Sequence, residues 1–167
     1  MTKVVVRRYR PDDLEACRAL WRELTQWHRR VYEDETIGGE DPGLHFDAHL
    51  EDAGAERIWV AEADGRVVGF AGLLLSGRRA EIEPVSVAEH YRGRGVGRAL
   101  VEAVLEEARA QGLGQVRVRP TGRNAEAIRF FHALGFDVLS RLELVFDLTD
   151  DPRWRAGERI AGREFRV

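Results

Sequence analysis

Apolar residues recur along the chain with two different periods, and each period predicts one type of element. A β-branched run at Val4–Val6 predicts the first strand. Helical spacing begins after Pro11 and continues to about Tyr32, which predicts a long amphipathic helix. A glycine-containing loop over residues 33–43 and a short helix over residues 44–53 follow. The first third of the chain is therefore expected to hold one strand and two helices.

The rest of the chain alternates between strand and helix patterns. Residues 58–63 and 66–75 predict a hairpin, because its Asp64-Gly65 turn supplies the positive φ angles of a tight turn. The later predictions are strands at 81–87 and 115–119, helices at 99–110 and 124–134, and a final hairpin or pair of strands at 136–148. Alternating strands and helices predict an α/β sheet.

Composition narrows the class of protein without identifying it. A chain of 167 residues with 44% hydrophobic content can form one compact domain. The net charge of −3 argues against a nucleic-acid partner, and the arginines are spread along the chain, with Lys3 as the only lysine. The single cysteine, Cys17, lies on an apolar helix face, which predicts a buried and unreactive thiol. No stretch is long and apolar enough to span a membrane, and no signal peptide is evident, so we expect a cytoplasmic protein.

A glycine-rich loop joins the strand at 81–87 to the helix that follows it. It consists of Arg92, Gly93, Arg94, Gly95, Val96, Gly97 and Arg98. Glycines let a ligand approach the backbone, and the first amides of a helix have no partner within it, so this loop predicts a phosphate site. No lysine follows the last glycine, and the spacing is not that of dinucleotide-binding loops. The spacing therefore argues against nucleoside triphosphates and against an NAD-dependent oxidoreductase.

Two motifs resemble those of the GNAT (GCN5-related) N-acetyltransferases. Arg92, Gly95 and Gly97 match the family's R/Q-x-x-G-x-G/A pyrophosphate loop, and residues 123–136 resemble its N-x-x-A-x-x-F-Y-x-x-x-G-F helix. The resemblance implies a domain over residues 4–148 with a mixed central sheet of about six to seven strands and about four helices. It also implies that the sheet is splayed between strands 4 and 5, and that acetyl-CoA is the cosubstrate. The polar tail, 149–167, is a candidate dimer contact.

Candidate catalytic carboxylates lie on the fourth strand. The two-residue period of a strand places Glu81, Glu83, Val85 and Val87 on one face, so at least one of the two adjacent carboxyl groups is expected to have a raised pKa. In the family, a general base occurs in some members at the position of Glu81. The sequence does not distinguish Glu81 from Glu83 as the base, and both carboxylates could instead bind a cationic acceptor or pair with arginines.

Pro84 interrupts the same strand, which is typical of a strand edge or a bulge. The resemblance implies a splayed strand whose backbone near Val85, Ser86 and Val87 bonds to the pantetheine arm. An ordinary bulge without a ligand role is the alternative. The Ser86 side chain is expected on the opposite face, where it could bond to local backbone.

Two positions after the glycine loop bear on the cofactor. Asn124 is placed to cap its helix, and the resemblance implies that it also contacts the cofactor. Phe131 occupies the place where many family members carry the tyrosine that protonates the departing thiolate. A phenyl ring donates no proton, so the usual general acid is in doubt. His45 and His49 have the spacing of a helical metal pair, but no third ligand is evident, so we expect a structural or acceptor-contacting pair and no metal.

These residues predict an acetyl-CoA-dependent N-acetyltransferase that moves the acetyl group directly to a small-molecule or protein amine in a ternary complex. A non-catalytic acyl-CoA sensor of the same fold is the main alternative, and a purely structural oligomer would bind no ligand. Homodimerisation is expected from the family and the tail.

Overall fold

A computed structural model describes residues 3–149 and 153–167. Lys3 is exposed ahead of the first strand. The strands are β1 (Val5–Arg8), β2 (Ile58–Ala63), β3 (Arg66–Ser76), β4 (Arg79–Val87), β5 (Gln115–Arg117), β6 (Ala156–Ile160) and β7 (Arg163–Arg166). The helices are α1 (Leu14–Tyr32), α2 (Leu44–Ala53), α3 (Val96–Ala110) and α4 (Ala125–His132). The predicted order of elements is confirmed from β1 to α4.

The first five strands form one mixed sheet in the order β1-β2-β3-β4-β5. Neighbouring strands are antiparallel except for β4 and β5, which run parallel. The ladder between β4 and β5 ends where Glu81 pairs with Arg117, although β4 continues to Val87. The second half of β4 is therefore paired only with β3, which is the divergence that the family resemblance implies.

Apolar side chains cover both faces of this sheet. On one face, Leu73 and Ile82 pack with Leu100 and Val104 of α3. On the other face, α1 and α2 contribute Cys17, Leu20 and Phe46, which surround the buried ring of Phe70. Removing these side chains from water is the main force that holds the helices on the sheet.

A bulge changes the facing of residues along β4. Leu73 pairs with Ile82 and Ala71 pairs with Val85, so β4 contains one extra residue in this stretch. Val85 and Val87 consequently pack in the same cluster as Ile82, on the α3 face. The prediction that they share a face with Glu81 and Glu83 is wrong, because an uninterrupted two-residue period does not pass through a bulge.

The C-terminal region also differs from the prediction. The structure describes no strand within 136–148, where hydrophobic side chains are strongly exposed, including Phe146 at 86%. The last two strands lie instead in the tail, where β6 and β7 form a separate antiparallel hairpin around Ala161 and Gly162. Alternating residues show that a segment can form a strand, but strand formation also requires a partner with free backbone groups.

The described residues include no helix that is long and apolar enough to cross a membrane.

Candidate active site

The glycine loop leads into the amino end of α3. Gly93 and Gly95 have φ angles of 70° and 85°, in the left-handed region that favours glycine. Gly95 is the N-cap of α3 and carries no side chain to cap it, and the Ala99 N–H donates to the Gly95 carbonyl at 3.0 Å. The amides of residues 96–98 therefore have no acceptor within the helix and lie at the positive end of its dipole. This arrangement can hold an anion.

The third glycine of the loop has a packing role. A Cβ atom at Gly97 would lie 3.2 Å from Cζ of Phe130, whereas a Cβ at Gly93 or Gly95 would meet no atom within 4 Å. Gly97 thus allows α3 to approach α4 closely. Gly93 and Gly95 leave the surface of the loop open.

The three arginines of the loop each contact the protein. Arg92 donates from Nε to the Val87 carbonyl at 3.1 Å, and its guanidinium lies 5.8 Å from the Trp27 ring centroid. The Arg94 guanidinium lies 5.5 Å from the ring of Tyr91. Arg98 forms an ion pair with Glu102 at 3.2 Å. These contacts order the loop, and a role of the arginines in neutralising phosphates remains a prediction.

The edge of β4 beside the loop has no strand neighbour beyond Glu81. Residues 85–87 pair only with β3, so the peptide groups that point away from β3 are available to a ligand, apart from the Val87 carbonyl that accepts from Arg92. The Ser86 hydroxyl donates to the Leu20 carbonyl of α1 at 3.2 Å. Because of the bulge, this side chain lies on the same face of the sheet as Glu81, and its partner is not local backbone, so the expectation for Ser86 is wrong. Pro84 lies within the bulge, at a point where β4 is no longer paired with β5, and a ligand role for the backbone beside it remains a prediction.

The two carboxylates of β4 lie together but have different surroundings. Glu81 is buried, with a side chain 6% exposed, and accepts hydrogen bonds from Nε of Arg117 at 2.9 Å and from Nε of Arg119 at 2.5 Å. Glu83 is 53% exposed, and its nearest cation is Nη2 of Arg119 at 3.8 Å. Partial burial, followed by the neighbouring Glu81 carboxylate, raises the pKa of Glu83, and Arg119 opposes the change. Glu83 is therefore the carboxylate with oxygen atoms open to a new partner.

Asn124 and Phe131 lie on α4. The Asn124 side chain accepts a hydrogen bond from the Ala127 amide at 3.0 Å, which confirms its predicted role as the N-cap. The ring of Phe131 packs edge-on against Phe130 and Phe136, at centroid distances of 5.0 and 5.6 Å. A contact between either residue and a cofactor remains a prediction.

A histidine with an unpartnered nitrogen lies opposite the bulge. His49 is buried, its ring centroid is 5.5 Å from that of Trp21, and its Nε2 has no hydrogen-bond partner among the described residues. Burial lowers the pKa of this imidazole. A Cβ atom at Gly72 would lie 2.2 Å from this Nε2, so the imidazole occupies space that only a glycine leaves. A glycine in the interior of a strand was the sequence signal for such a close approach.

The arginines that hold Glu81 were not among the predicted site residues. Arg117 belongs to β5 and Arg119 follows that strand, so the two-residue period places both on the side of Glu81. Sequence reasoning could have found them only with the register of β5 against β4. Among the described residues, no three histidine, cysteine, aspartate or glutamate side chains are grouped closely enough to hold a metal ion.

The tail hairpin contacts the end of α1. Arg155 forms an ion pair with Glu33 at 2.6 Å, and Arg153 forms one with Asp34 at 3.3 Å. Arg123, just before α4, donates to the Val167 carbonyl at 3.0 Å. The hairpin thus bridges the loop after α1 and the loop before α4.

Comparison with known proteins identifies the family of this fold. The model of the acetyltransferase (GNAT) family matches residues 19–136, which is more than half of the chain. A streptothricin acetyltransferase of Streptomyces lavendulae is 35% identical over 109 residues, which cover 64% of this chain and 56% of that protein. Human N-acetyltransferase 8B is 35% identical over 85 residues, which cover 47% of this chain and 37% of the relative. The chain thus aligns with about half or less of the length of these two relatives.

Other matches cover more of the fold. An L-methionine sulfoximine/L-methionine sulfone acetyltransferase of Pseudomonas paraeruginosa is 27% identical, with 80% of each chain covered. The structure of AAC(6')-Iy in complex with a bisubstrate analogue of CoA and acetylneamine superposes with a TM-score of 0.65 at 22% identity, covering 87% of this chain and 98% of that one. Ard1 from Thermoplasma volcanium superposes with a TM-score of 0.60 at 29% identity, covering 79% and 81%. The chain belongs to the acetyltransferase (GNAT) family.

Proposed function

We propose that this chain is an acetyl-CoA-dependent N-acetyltransferase that moves an acetyl group directly to an acceptor amine in a ternary complex. The observation that carries the proposal is that the unpaired edge of β4 leads into the uncapped amino end of α3. The amides of residues 96–98 would hold the pyrophosphate of CoA, and the free peptide groups of residues 85–87 would align the pantetheine arm. Such positioning would bring the thioester towards Glu83.

We propose Glu83 as the general base. An ammonium group must lose a proton before its nitrogen can attack, and a carboxylate with a raised pKa is better matched to that task near neutral pH. The proton passes to a Glu83 oxygen, directly or through a water molecule. Glu81 is less suited to this role, because both of its oxygens already accept hydrogen bonds from arginine.

The remaining bonds change without an enzyme-bound acyl group. The amine nitrogen forms a bond to the acetyl carbon, the carbon–sulfur bond breaks, and the thiolate of CoA leaves. Cys17 is unsuited to carry the acetyl group, because it is fully buried and burial raises the pKa of its thiol to about 12. Phe131 supplies no proton to the thiolate, so we propose that the thiolate leaves unprotonated or takes a proton from water.

A non-catalytic acyl-CoA sensor is the second candidate. The phenyl ring of Phe131, packed between two other phenylalanines, favours it, since no side-chain acid has been identified for the leaving group. The sensor would use the same loop and the same edge of β4. It differs from the transferase only in having no amine-dependent turnover.

Calorimetric titration with acetyl-CoA, CoA and NAD, followed by an assay of thiol release against a panel of amines, separates these functions. We expect acetyl-CoA and CoA to bind, NAD to fail, and thiol release to require an amine. Binding without release by any amine would favour the sensor. Failure of CoA to bind would contradict both candidates.

We propose a cytoplasmic homodimer as the working form. A cytoplasmic location fits the cysteine content, and no nucleic-acid partner is proposed because the net charge is −3. Dimerisation is supported by the exposed hydrophobic residues Val138, Leu144 and Phe146. Sedimentation of the protein before and after a Phe146→Asp substitution tests it. We expect a dimer that becomes a monomer, and a monomer at every concentration would contradict the proposal.

A further inference from the structure

The Glu81 carboxylate has an unusual relation to its two arginines. It is buried, while the side chains of Arg117 and Arg119 are 46% and 65% exposed. Both arginines contact it through Nε, and no other hydrogen bond engages either guanidinium among the residues that the structure describes. Arginine carries four further N–H donors on its two Nη atoms. Glu81 therefore fixes two guanidinium groups while leaving their Nη donors available at the surface.

Two carboxylates and two guanidinium groups form a charge-balanced cluster, which consists of Glu81, Glu83, Arg117 and Arg119. One of the contacts that balance it is long. One arginine would suffice to neutralise Glu81, so the second positive charge is compensated by Glu83. Arg119 and Glu83, however, are 3.8 Å apart and share no hydrogen bond, and Glu143 acts on Arg119 only through its electrostatic field. An acceptor ammonium at Glu83 would form an ion pair with this carboxylate in place of Arg119. Arg119 would then lack its second partner.

We propose that Arg117 and Arg119 form an anion subsite, and that the acceptor is an amino acid or a similar small molecule with a carboxylate close to its amine. This inference rests on the proposed transferase function, because it assumes that the amine lies at Glu83. In an α-amino acid a single carbon atom separates the two charged groups, which fits the short span from Glu83 to Arg119. A guanidinium fork matches the planar geometry of a carboxylate.

The fold supports the location of this subsite. Glu83 lies in the bulge of β4, and Arg117 and Arg119 lie where β5 ends its pairing with β4. The amine and carboxylate sites are therefore at the opening of the splay, on the face that α1 and α2 cover. A substrate that is neutral overall adds no net charge to a cluster that is itself balanced.

The test compares acceptors that differ only in the anionic group. L-leucine, L-methionine and L-phenylalanine are each assayed beside their carboxamides, which keep the α-amine and lose the negative charge. We expect kcat/KM for the free acids to exceed that for the amides by about ten- to a hundredfold, the range of a charged hydrogen bond. Arg119→Gln is expected to remove this preference through KM for the acid. Equal use of acids and amides would overturn the inference and leave the transferase intact.

Matched variants separate recognition from folding. Arg79→Gln is the control, since Arg79 is an exposed arginine of β4 on the side of Glu81 and forms no ion pair among the described residues. It should keep the preference for acids. Arg119→Lys keeps a positive charge beside Glu81 but lacks the fork, so it should fold normally and retain part of the preference. A preference unchanged in Arg119→Gln would overturn the assignment.

Binding provides a measurement that does not depend on turnover. Calorimetry in the presence of CoA should show that one or more of the three amino acids bind and that the corresponding amides do not. If no amino acid binds while CoA does, the anion subsite is wrong whatever acceptor is later found. If CoA itself fails to bind, the proposed function is wrong. Binding of the amino acids without CoA, compared with binding of their amides, then still shows whether the anion subsite exists.

Discussion

The two halves of β4 differ in strand pairing, in burial and in the groups that they expose. In the first half, residues 79–82 pair with β3, and residues 79–81 also pair with β5 on the other side. Three residues of this half are buried, namely Ala80, Glu81 and Ile82. Residues 85–87 pair only with β3, and the bulge before them holds Pro84 and the half-exposed Glu83. The first half contributes to stability, whereas the second exposes backbone and a carboxylate to ligands. One strand can thus be paired on both sides at one end and open on one side at the other.

The largest difference between the halves should be in their carboxylates. Glu83→Gln is expected to lower kcat by about 10²- to 10⁴-fold, because a general base contributes in this range. Its stability should change little, since the side chain is half exposed. Steady-state kinetics and urea unfolding measure the two effects. Glu81→Gln is the matched control, and it should lower stability while keeping most of kcat; the reverse pattern would exchange the roles of the two residues.

The first half should respond to the loss of apolar contacts. Ile82 is buried between β3 and α3, so Ile82→Ala is expected to lower the free energy of unfolding by about 2–5 kcal/mol. At temperatures where the variant remains folded, KM for acetyl-CoA should be unchanged. Chemical denaturation checks the first expectation. A specific loss of acetyl-CoA affinity at full stability would show that the two halves are not separate.

Gly72 connects the bulge to His49, and a smaller effect is expected there. Gly72→Ala places a Cβ atom 2.2 Å from Nε2 of His49 and 2.7 Å from the Glu83 carbonyl, so it should cost about 1–3 kcal/mol. His49→Ala in the same chain should recover part of this loss, because it removes one of the two clashes. A double-mutant cycle measures the coupling. Additive effects would mean that His49 does not limit the space at Gly72.

The pH profile should show the smallest effect. The pKa of Glu83 is raised by partial burial and by Glu81, and the active form of a base is deprotonated. Activity should therefore be present above this raised pKa and fall as the pH decreases through it, at a higher pH than for an ordinary glutamate. The pH dependence of kcat/KM measures this limb. If the Glu83→Gln variant shows the same loss of activity at low pH, the titrating group is not Glu83.

The sequence predicted most of the features that are local along the chain. The Asp64-Gly65 turn, the amphipathic pattern of α1 and the glycine loop before α3 each lie within a few residues, so their physics could be inferred directly. The facing of Val85 could not, because the bulge depends on the partner strand as well as on Pro84. Arg119 and His49 reach the site from other elements, and their positions depend on strand register and helix packing.

The C-terminal segment shows the same limit. Leu142, Leu144 and Phe146 alternate as in a strand, yet the structure describes their segment without one. The tail, with fewer hydrophobic residues, forms the hairpin because Ala161 and Gly162 adopt the positive φ angles of a turn. Turn geometry and the available partner strands determine which segment forms a hairpin, and the hydrophobic pattern contains neither.

Lys3, the only lysine of the chain, lies exposed ahead of β1. A lysine amine is a nucleophile that acetyl-CoA can modify, whereas guanidinium groups stay protonated and do not react in this way. The proposed acetyltransferase would therefore offer one side-chain amine, that of Lys3, to its own cosubstrate. We expect little acetylation of its own side chains, so the intact mass of the protein should stay a clean baseline when a protein acceptor is added.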